Sequence, residues 1–260
     1  DRSSQCVYFA SADNTIAALD FAGGLIWKAD AGAPVYSSPI LAGNHLFCTT
    51  NGGDILALRA ADGTQLWRCD APEYAIETAP TIHQDALFTG SWDRFVYCLG
   101  LHNGDLRWRA PSAGSDREGA VARYYSPADC PPAAIAGRVF VADRAYRLTV
   151  MAAETGERLL VDTHCVAVAT GPNREFVYVR HTDGHLTKRN RDGAIVWNAK
   201  IPTGAIAARP KVTDTTVWTC SNTGMLSAVD SRTGDIIGIY RAFSQSYVFA
   251  SPCIGGASVY

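Results

Sequence analysis

The residue types able to do chemistry are few and scattered. Glu77 and Asp93 are carboxylates that could face a common opening, but they lie in different segments and no spacing fixes their separation, so no general acid or base is assigned. His181 and His185 flank Thr182-Asp183-Gly184. Two imidazoles and a carboxylate can ligate a transition metal, yet an Asp-Gly turn sends its neighbours to different faces, and the segment reads as a plain hairpin turn. Trp92-Asp93-Arg94 sets an indole beside a guanidinium at a turn. Such a pair can stack on a planar or carbonyl-rich ligand, or the Trp can simply cover a neighbouring sheet. There is no Gly-Lys-Ser/Thr phosphate loop, Gly-x-Ser-x-Gly elbow or HExxH. No catalytic residue and no metal ligand is assigned.

Composition narrows the partners rather than naming one. The 260 residues carry 23 basic and 25 acidic side chains, a formal net charge of -2, without a long like-charge run. Neither nucleic acid nor an anionic membrane is therefore implied as a partner. No run of 18 apolar residues is present that could span a membrane, and Asp1 to Gln5 lacks the basic and apolar regions of a signal peptide. The eight cysteines stand singly, without CxxC or metal spacing, and read as small buried thiols. Unpaired thiols favour the cytoplasm, while a periplasmic or extracellular site stays open if a signal segment was removed.

The elements that must position these residues come from a repeat. A phrase ending in a Gly turn, usually with Trp four residues later, recurs six times: Gly23 to Trp27, Gly63 to Trp67, Gly104 to Trp108, Gly156 to Leu160, Gly193 to Trp197, and Gly234 to Gly238. A second register pairs an aliphatic residue with an aromatic one: Val7-Tyr8, Leu46-Phe47, Leu87-Phe88, Val139-Phe140, Val177-Tyr178, Val217-Trp218 and Val259-Tyr260. Successive aromatics are 39, 41, 52, 38, 40 and 42 residues apart, so only one interval breaks a period near 40. A third register is Pro39, Pro80, Pro127, Pro172, Pro210 and Pro252, each expected to open a strand because proline lacks a ladder donor. A period of this length in β-rich sequence predicts a radial array of four-stranded antiparallel sheets, an all-β propeller, built as a single domain over residues 1–260. Counting strands gives six Pro-led (A), seven aliphatic-aromatic (B), six before the Gly turn (C) and six Trp-bearing (D) strands. About six blades are thus covered, and the surplus B strand at Tyr260 is expected to belong to a longer parent of seven or more blades.

The phrase Ala-x-Asp-x-x-Thr-Gly-x-x-x-Trp resembles the PQQ-like repeat family of quinoprotein dehydrogenases and BamB-type assembly lipoproteins, over essentially residues 6–260. The resemblance implies that Trp27, Trp67, Trp108 and Trp197 dock between blades. It also implies ligand sites on the face where D-to-A connections and B-to-C hairpins emerge. That face would present Tyr36, Glu77, Arg123, Tyr124, Tyr247 and Phe249 from the connections, and Asn51, Trp92, Asp93, Arg94, Arg144, His181, Asp183 and Asn222 from the hairpins. The ligand-binding candidates are Tyr36, Glu77, Trp92, Arg94, Arg123, Tyr124, Arg144, His181 and Tyr247, with the polar insertion Ala110 to Gly119 lengthening one connection. The family's dehydrogenases carry a vicinal Cys-Cys disulfide over the quinone and a Glu, Asn and Asp calcium set. No two cysteines are adjacent here, so PQQ is possible but has no motif behind it. The expected role is a non-catalytic scaffold binding a protein, peptide or small ligand. The alternatives are a diverged PQQ-dependent oxidoreductase and an accessory propeller of a larger enzyme, such as an acyl-adenylating one, which the Phe-Ala-Ser-Pro-Cys phrase and the thiols resemble.

Overall fold

The computed structural model describes residues 5–116, 120–202, 208–241, 251–255 and 258–259. Among them there is no α-helix; the chain is a succession of short antiparallel meanders with two 3-10 turns, Ala113–Asp116 and Ala120–Tyr125. It divides into two compact units, residues 1–111 with 115–131, and residues 112–114 with 132–260.

In the first unit, β1 (Cys6–Ala10), β2 (Thr15–Asp20) and β3 (Leu25–Asp30) form a three-stranded sheet, blade 1. Blade 2 is β4 (Ile40–Ala42), β5 (His45–Thr49), β6 (Ile55–Arg59) and β7 (Gln65–Cys69). Blade 3 is β8 (Thr81–His83), β9 (Ala86–Gly90), β10 (Phe95–Gly100) and β11 (Leu106–Pro111). In the second unit, blade 4 comprises β12 (Ala133–Ile135), β13 (Arg138–Ala142), β14 (Leu148–Ala152) and β15 (Arg158–Asp162). Blade 5 comprises β16 (Cys165–Thr170), β17 (Val177–His181), β18 (His185–Arg189) and β19 (Ile195–Lys200). Blade 6 comprises β20 (Lys211–Val212), β21 (Thr216–Cys220), β22 (Met225–Asp230) and β23 (Ile236–Arg241), followed by the hairpin β24 (Ile254–Gly255) and β25 (Ser258–Val259). The described strands fall into the same four classes as the repeat: six A, seven B, six C and six D.

Burial explains the composition of each class. Both faces of a middle strand are packed, so β6 reads Ile-Leu-Ala-Leu with all four buried, whereas the outer β3 buries only Trp27. The cores lie between consecutive sheets. Trp27, Leu46, Leu56 and Leu58 pack together across blades 1 and 2, Trp67, Leu87, Tyr97 and Leu99 across blades 2 and 3, and Trp197, Val217 and Val229 across blades 5 and 6. The aliphatic-aromatic pairs sit in the B strands and serve the same seam. Tyr8, Phe47, Phe88 and Tyr178 tilt onto Trp27, Trp67, Trp108 and Trp197 of their own blades with centroids 5.8–6.0 Å apart.

Within each unit the Gly of the phrase completes the seam from the next blade. The Trp27 indole N–H donates to Ala60 O at 2.8 Å, Trp67 to Leu101 O at 3.2 Å, and Trp197 to Ser231 O at 3.2 Å. Each acceptor stands three residues before the Gly against which the same ring lies. A Cβ added at Gly63 would be 2.6 Å from Cε3 of Trp27, and Gly104 meets Trp67 and Gly234 meets Trp197 in the same way. Where Leu160 replaces Trp the fit is looser, and a Cβ added at Gly193 would be 3.2 Å from a Leu160 methyl.

The proline register holds only in part. Pro39, Pro80 and Pro210 immediately precede β4, β8 and β20, and Pro252 lies two residues before β24. Pro172 follows β16 and stands in the turn to β17, because a fixed φ suits turns as well as strand starts. Pro127 is six residues ahead of β12, which Pro132 adjoins. Six cysteines are buried, Cys220 is half-buried and Cys253 exposed, and burial pushes the Cys48 and Cys98 thiols up to about 12.

Gly63→Ala must both adopt φ +73° and push against the Trp27 ring, and is expected to cost about 2–5 kcal/mol. Gly43 has φ +60° but open space around its Cα, so Gly43→Ala is expected to cost only about 1–2 kcal/mol. Urea unfolding of the two variants isolates the seam contact as their difference.

Candidate functional site

One cleft, of about 520 Å³, gathers charge and aromatic surface in the first unit. It is lined by Glu73 and Tyr74 from the β7–β8 connection, Asp93 and Arg94 from the β9–β10 hairpin, Phe95 on β10, Arg109 on β11, and Arg123. Asp93 holds these segments together. Its Oδ1 accepts the Phe95 backbone N–H at 3.0 Å, closing the hairpin, while Oδ2 accepts the Glu73 N–H at 2.9 Å and the Tyr97 hydroxyl at 2.6 Å. Burial together with the Asp93 carboxylate raises the Tyr97 pKa, so the phenol stays a donor. Ser91 adds a hydroxyl bond to Tyr74 O at 2.9 Å, and the Trp92 backbone N–H donates to Ala75 O at 3.0 Å.

On this frame the guanidinium groups lie over rings. Arg123 stacks on Tyr74 with its central carbon 3.7 Å from the ring centroid, and Arg109 and Arg94 approach Phe95 at 5.0 and 5.9 Å. The negative charge in the cleft is largely committed: Asp93 already takes three donors, and exposed Glu73 reaches Arg109 only at 3.9 Å. Arg94 has φ +87°, at the hairpin position where other blades use Asn14, Gly53, Tyr146, Gly184 or Gly224. A non-glycine residue held there stores backbone strain, a feature that concentrates at binding sites.

Of the sequence candidates, Arg94 and Arg123 meet in this cleft. Tyr36 is exposed on the β3–β4 connection and Glu77 on the β7–β8 connection without lining the cleft, Trp92 is half-buried in the β9–β10 hairpin, and Tyr124 packs edge-on against Tyr125 at 5.3 Å. Arg144 is half-buried in the β13–β14 hairpin. Tyr247 and Phe249 lie outside the described residues. Sequence reasoning missed Glu73, Tyr74, Phe95 and Arg109. The outward position of Arg109 beside Trp108 was legible from strand alternation, but its approach to Phe95 depends on the β10–β11 register, in which Phe95 faces Pro111 and Tyr97 faces Arg109.

His181 belongs to a second cavity, of about 220 Å³, in the second unit, lined also by Asp162, His164, Asp183, His185 and Arg189. The hairpin brings His181, Asp183 and His185 to line one cavity. His181 Nε2 is 3.0 Å from the Thr187 hydroxyl, and His185 Nδ1 is 2.7 Å from Asn198 Oδ1. Arg189 pairs with Asp162 at 2.5 Å. Among the described residues no three His, Cys, Asp or Glu side chains are grouped to hold a metal ion.

Two outcomes follow from this geometry. Arg94→Gly removes the positive-φ penalty and is expected to raise stability by about 1 kcal/mol in thermal unfolding. Burial first, then Arg189, holds the His181 pKa below its ordinary 6.5, against the opposing pull of Asp183 and Asp162. The unfolded chain therefore takes up the proton first, and the stability contributed by neutral His181 is full above pH 6.5 and is lost as the pH falls through the lowered value. Urea unfolding between pH about 7 and about 5 is expected to show a loss that His181→Gln reduces.

Comparison with known proteins agrees with the blade architecture. A family model described as outer membrane protein assembly factor BamB matches residues 3–159 and again 75–260. The chain is 31% identical over 83 residues to a beta-alanine-activating enzyme of Drosophila melanogaster, covering 30% of this chain and 8% of that protein. It is 29% identical over 84 residues to the outer membrane protein assembly factor BamB of Marinobacter adhaerens, covering 32% and 21%. The aligned stretches are thus a minor part of those relatives' own lengths. Among solved structures, the computationally designed Ika8 protein superposes with a TM-score of 0.80 at 17% identity, over 98% of this chain and 76% of that one. BamB from Moraxella catarrhalis gives 0.69 at 14%, over 91% and 70%. The quinohemoprotein alcohol dehydrogenase ADHIIG of Pseudomonas putida HK5 gives 0.66 at 15%, over 84% and 44%. At these identities the superpositions speak for the fold alone. With its six Gly-turn phrases, its four-stranded meanders and a family match over both halves of the sequence, the chain belongs to the BamB-like family of PQQ-repeat β-propellers.

Proposed function

We propose that this chain is a non-catalytic propeller scaffold that binds a protein partner by an acidic segment laid in the Arg94–Arg109–Arg123 cleft. The observation that carries the reading is the convergence of three guanidinium groups on the rings of Tyr74 and Phe95. Guanidinium pairs with carboxylate through a planar fork, and guanidinium already stacked on a ring is pre-organised for it. Relatives described as assembly factors make a protein partner a reasonable class. PQQ chemistry receives no such support. No two cysteines are adjacent in the sequence, no group of three His, Cys, Asp or Glu side chains that could hold a cation is present among the described residues, and no redox step is derived.

A second reading has its own observation. The similarity to a beta-alanine-activating enzyme supports an accessory propeller within a larger enzyme, with the cleft then engaging another part of the same protein. Reading the flanking coding sequence separates the two.

Fluorescence anisotropy with a Glu- and Asp-rich peptide tests the site directly. Arg94→Glu combined with Arg123→Glu is expected to weaken binding at least about tenfold, roughly 1.4 kcal/mol, and added salt is expected to weaken wild-type binding. Equal binding by the double variant, or equal binding of the Gln and Asn analogue, overturns the assignment.

A further inference from the structure

Lys188 is where one blade departs most expensively from the repeat. It sits on β18 directly opposite Trp197, in a register whose other members are Ala18, Ala57, Cys98, Val150 and Ala228. Five small apolar residues and one lysine share a position that packing alone fills with a methyl group. The lysine is 8% exposed. Its Nζ donates to Ser231 O at 3.0 Å and lies 3.9 Å from the centroid of the Phe176 ring. Among the described residues no carboxylate comes within ion-pair distance of it.

The seam does not need this ammonium. Ser231 O already accepts the Trp197 indole at 3.2 Å and the Tyr178 hydroxyl at 3.4 Å. The equivalent carbonyl, Ala60 O, serves Trp27 and Tyr8 with no lysine present. An ammonium has three N–H donors, and Lys188 gives one to the shared Ser231 carbonyl while the rings of Phe176 at 3.9 Å and Tyr178 at 5.9 Å face the rest, both weaker acceptors than an anion entering the cavity that it lines. Burial accordingly lowers the Lys188 pKa, with Glu175 and Asp230 opposing.

That cavity is about 250 Å³, the volume of a small organic anion rather than of a polymer segment. The β16–β17 turn supplies Arg174 and Glu175, the β20–β21 turn supplies Asp214, and Arg232 follows β22. Three cations and two carboxylates line the cavity, Asp230 lies near Lys188 behind it, and the most deeply buried of the lining charges is positive. Arg174 is itself held at φ +52°, a left-handed conformation that costs energy in a residue other than Gly.

We infer that this cavity is a binding site for a small anion, a carboxylate or phosphate group, received by Lys188 at its floor with Arg174 and Arg232 at its rim. Glu175 and Asp230 act on Lys188 only from beyond ion-pair distance, and a bound anion would supply the direct partner that they do not. The site is independent of the arginine cleft and stands or falls separately from the protein-binding reading.

The Trp197 indole N–H shares its acceptor with Lys188, so its NMR resonance, assigned with a Trp197→Phe variant, reports on the site. Titration of the intact chain with inorganic phosphate and with acetate is expected to shift that resonance saturably, beyond any effect of matched chloride. Lys188→Met is expected to abolish the shift while the other indole resonances stay dispersed. If that variant does not fold, Arg174→Ala with Arg232→Ala, both exposed at the rim, is expected to raise the half-saturation concentration at least threefold. A short peptide with a free C-terminus, compared with its amide, tells whether the carboxylate comes from a chain end or a free acid. Absence of a saturable shift, or an undiminished shift in Lys188→Met or in the rim double variant, overturns the inference.

Discussion

The fold depends on one contact repeated along the chain: an indole ring laid flat against the Cα of a glycine in the following blade. The contact has three parts that fit one another, and where Leu160 takes the place of the indole, Gly193 is kept with a looser fit. The ring fills the space that a side chain would take, its N–H pays off the carbonyl three residues before the glycine, and the B-strand aromatic of its own blade holds it upright. The indole also brings a buried N–H that would be costly without its acceptor, so glycine, carbonyl and ring are fixed as a set. This is why Gly and Trp recur together. The Gly at one end of a phrase answers to the Trp of the phrase before it, and not to the Trp four residues later.

The dependence accounts for what was legible in the sequence. Residues that must satisfy a neighbouring blade are held to a pattern even where Leu160 and Gly238 stand for Trp, so the Gly-turn phrases and the aliphatic-aromatic pairs give the blade period and the strand classes. The prolines constrain only their own backbone, and a proline fits a turn as readily as a strand start. Pro172 and Pro127 therefore misled where Pro39, Pro80 and Pro210 did not. The one long interval coincides with Ala113–Asp116 and Ala120–Tyr125, where extra residues are taken up in short 3-10 turns without displacing the aromatic register of the next sheet.

The candidate site was legible only in fragments, for the complementary reason. Arg94 and Arg123 could be placed at loop positions because the repeat numbers the loops. Tyr74, Phe95 and Arg109 become partners only through side-chain reach across a hairpin register, a bulge between Cys98 and Leu99, and a connection pinned by Asp93. None of these leaves a spacing in the chain. The two histidines of blade 5 teach the same lesson, since the hairpin brings both onto one cavity.

A rigid seam also makes departures from the repeat readable. When five blades place a small apolar residue opposite the indole position, the repeat itself is the control against which the sixth is judged. Lys188 puts a charge into that position without relieving any strain in its seam, whose carbonyl is already doubly engaged. Arg94 puts a bulky residue at a backbone position that three of its counterparts give to glycine, a fourth to asparagine and a fifth to Tyr146. Both substitutions oppose stability, one by desolvation and the other by backbone strain. In a scaffold whose stability rests on seams held alike, such costs are carried by the neighbouring contacts and are retained where the side chain meets something other than the fold.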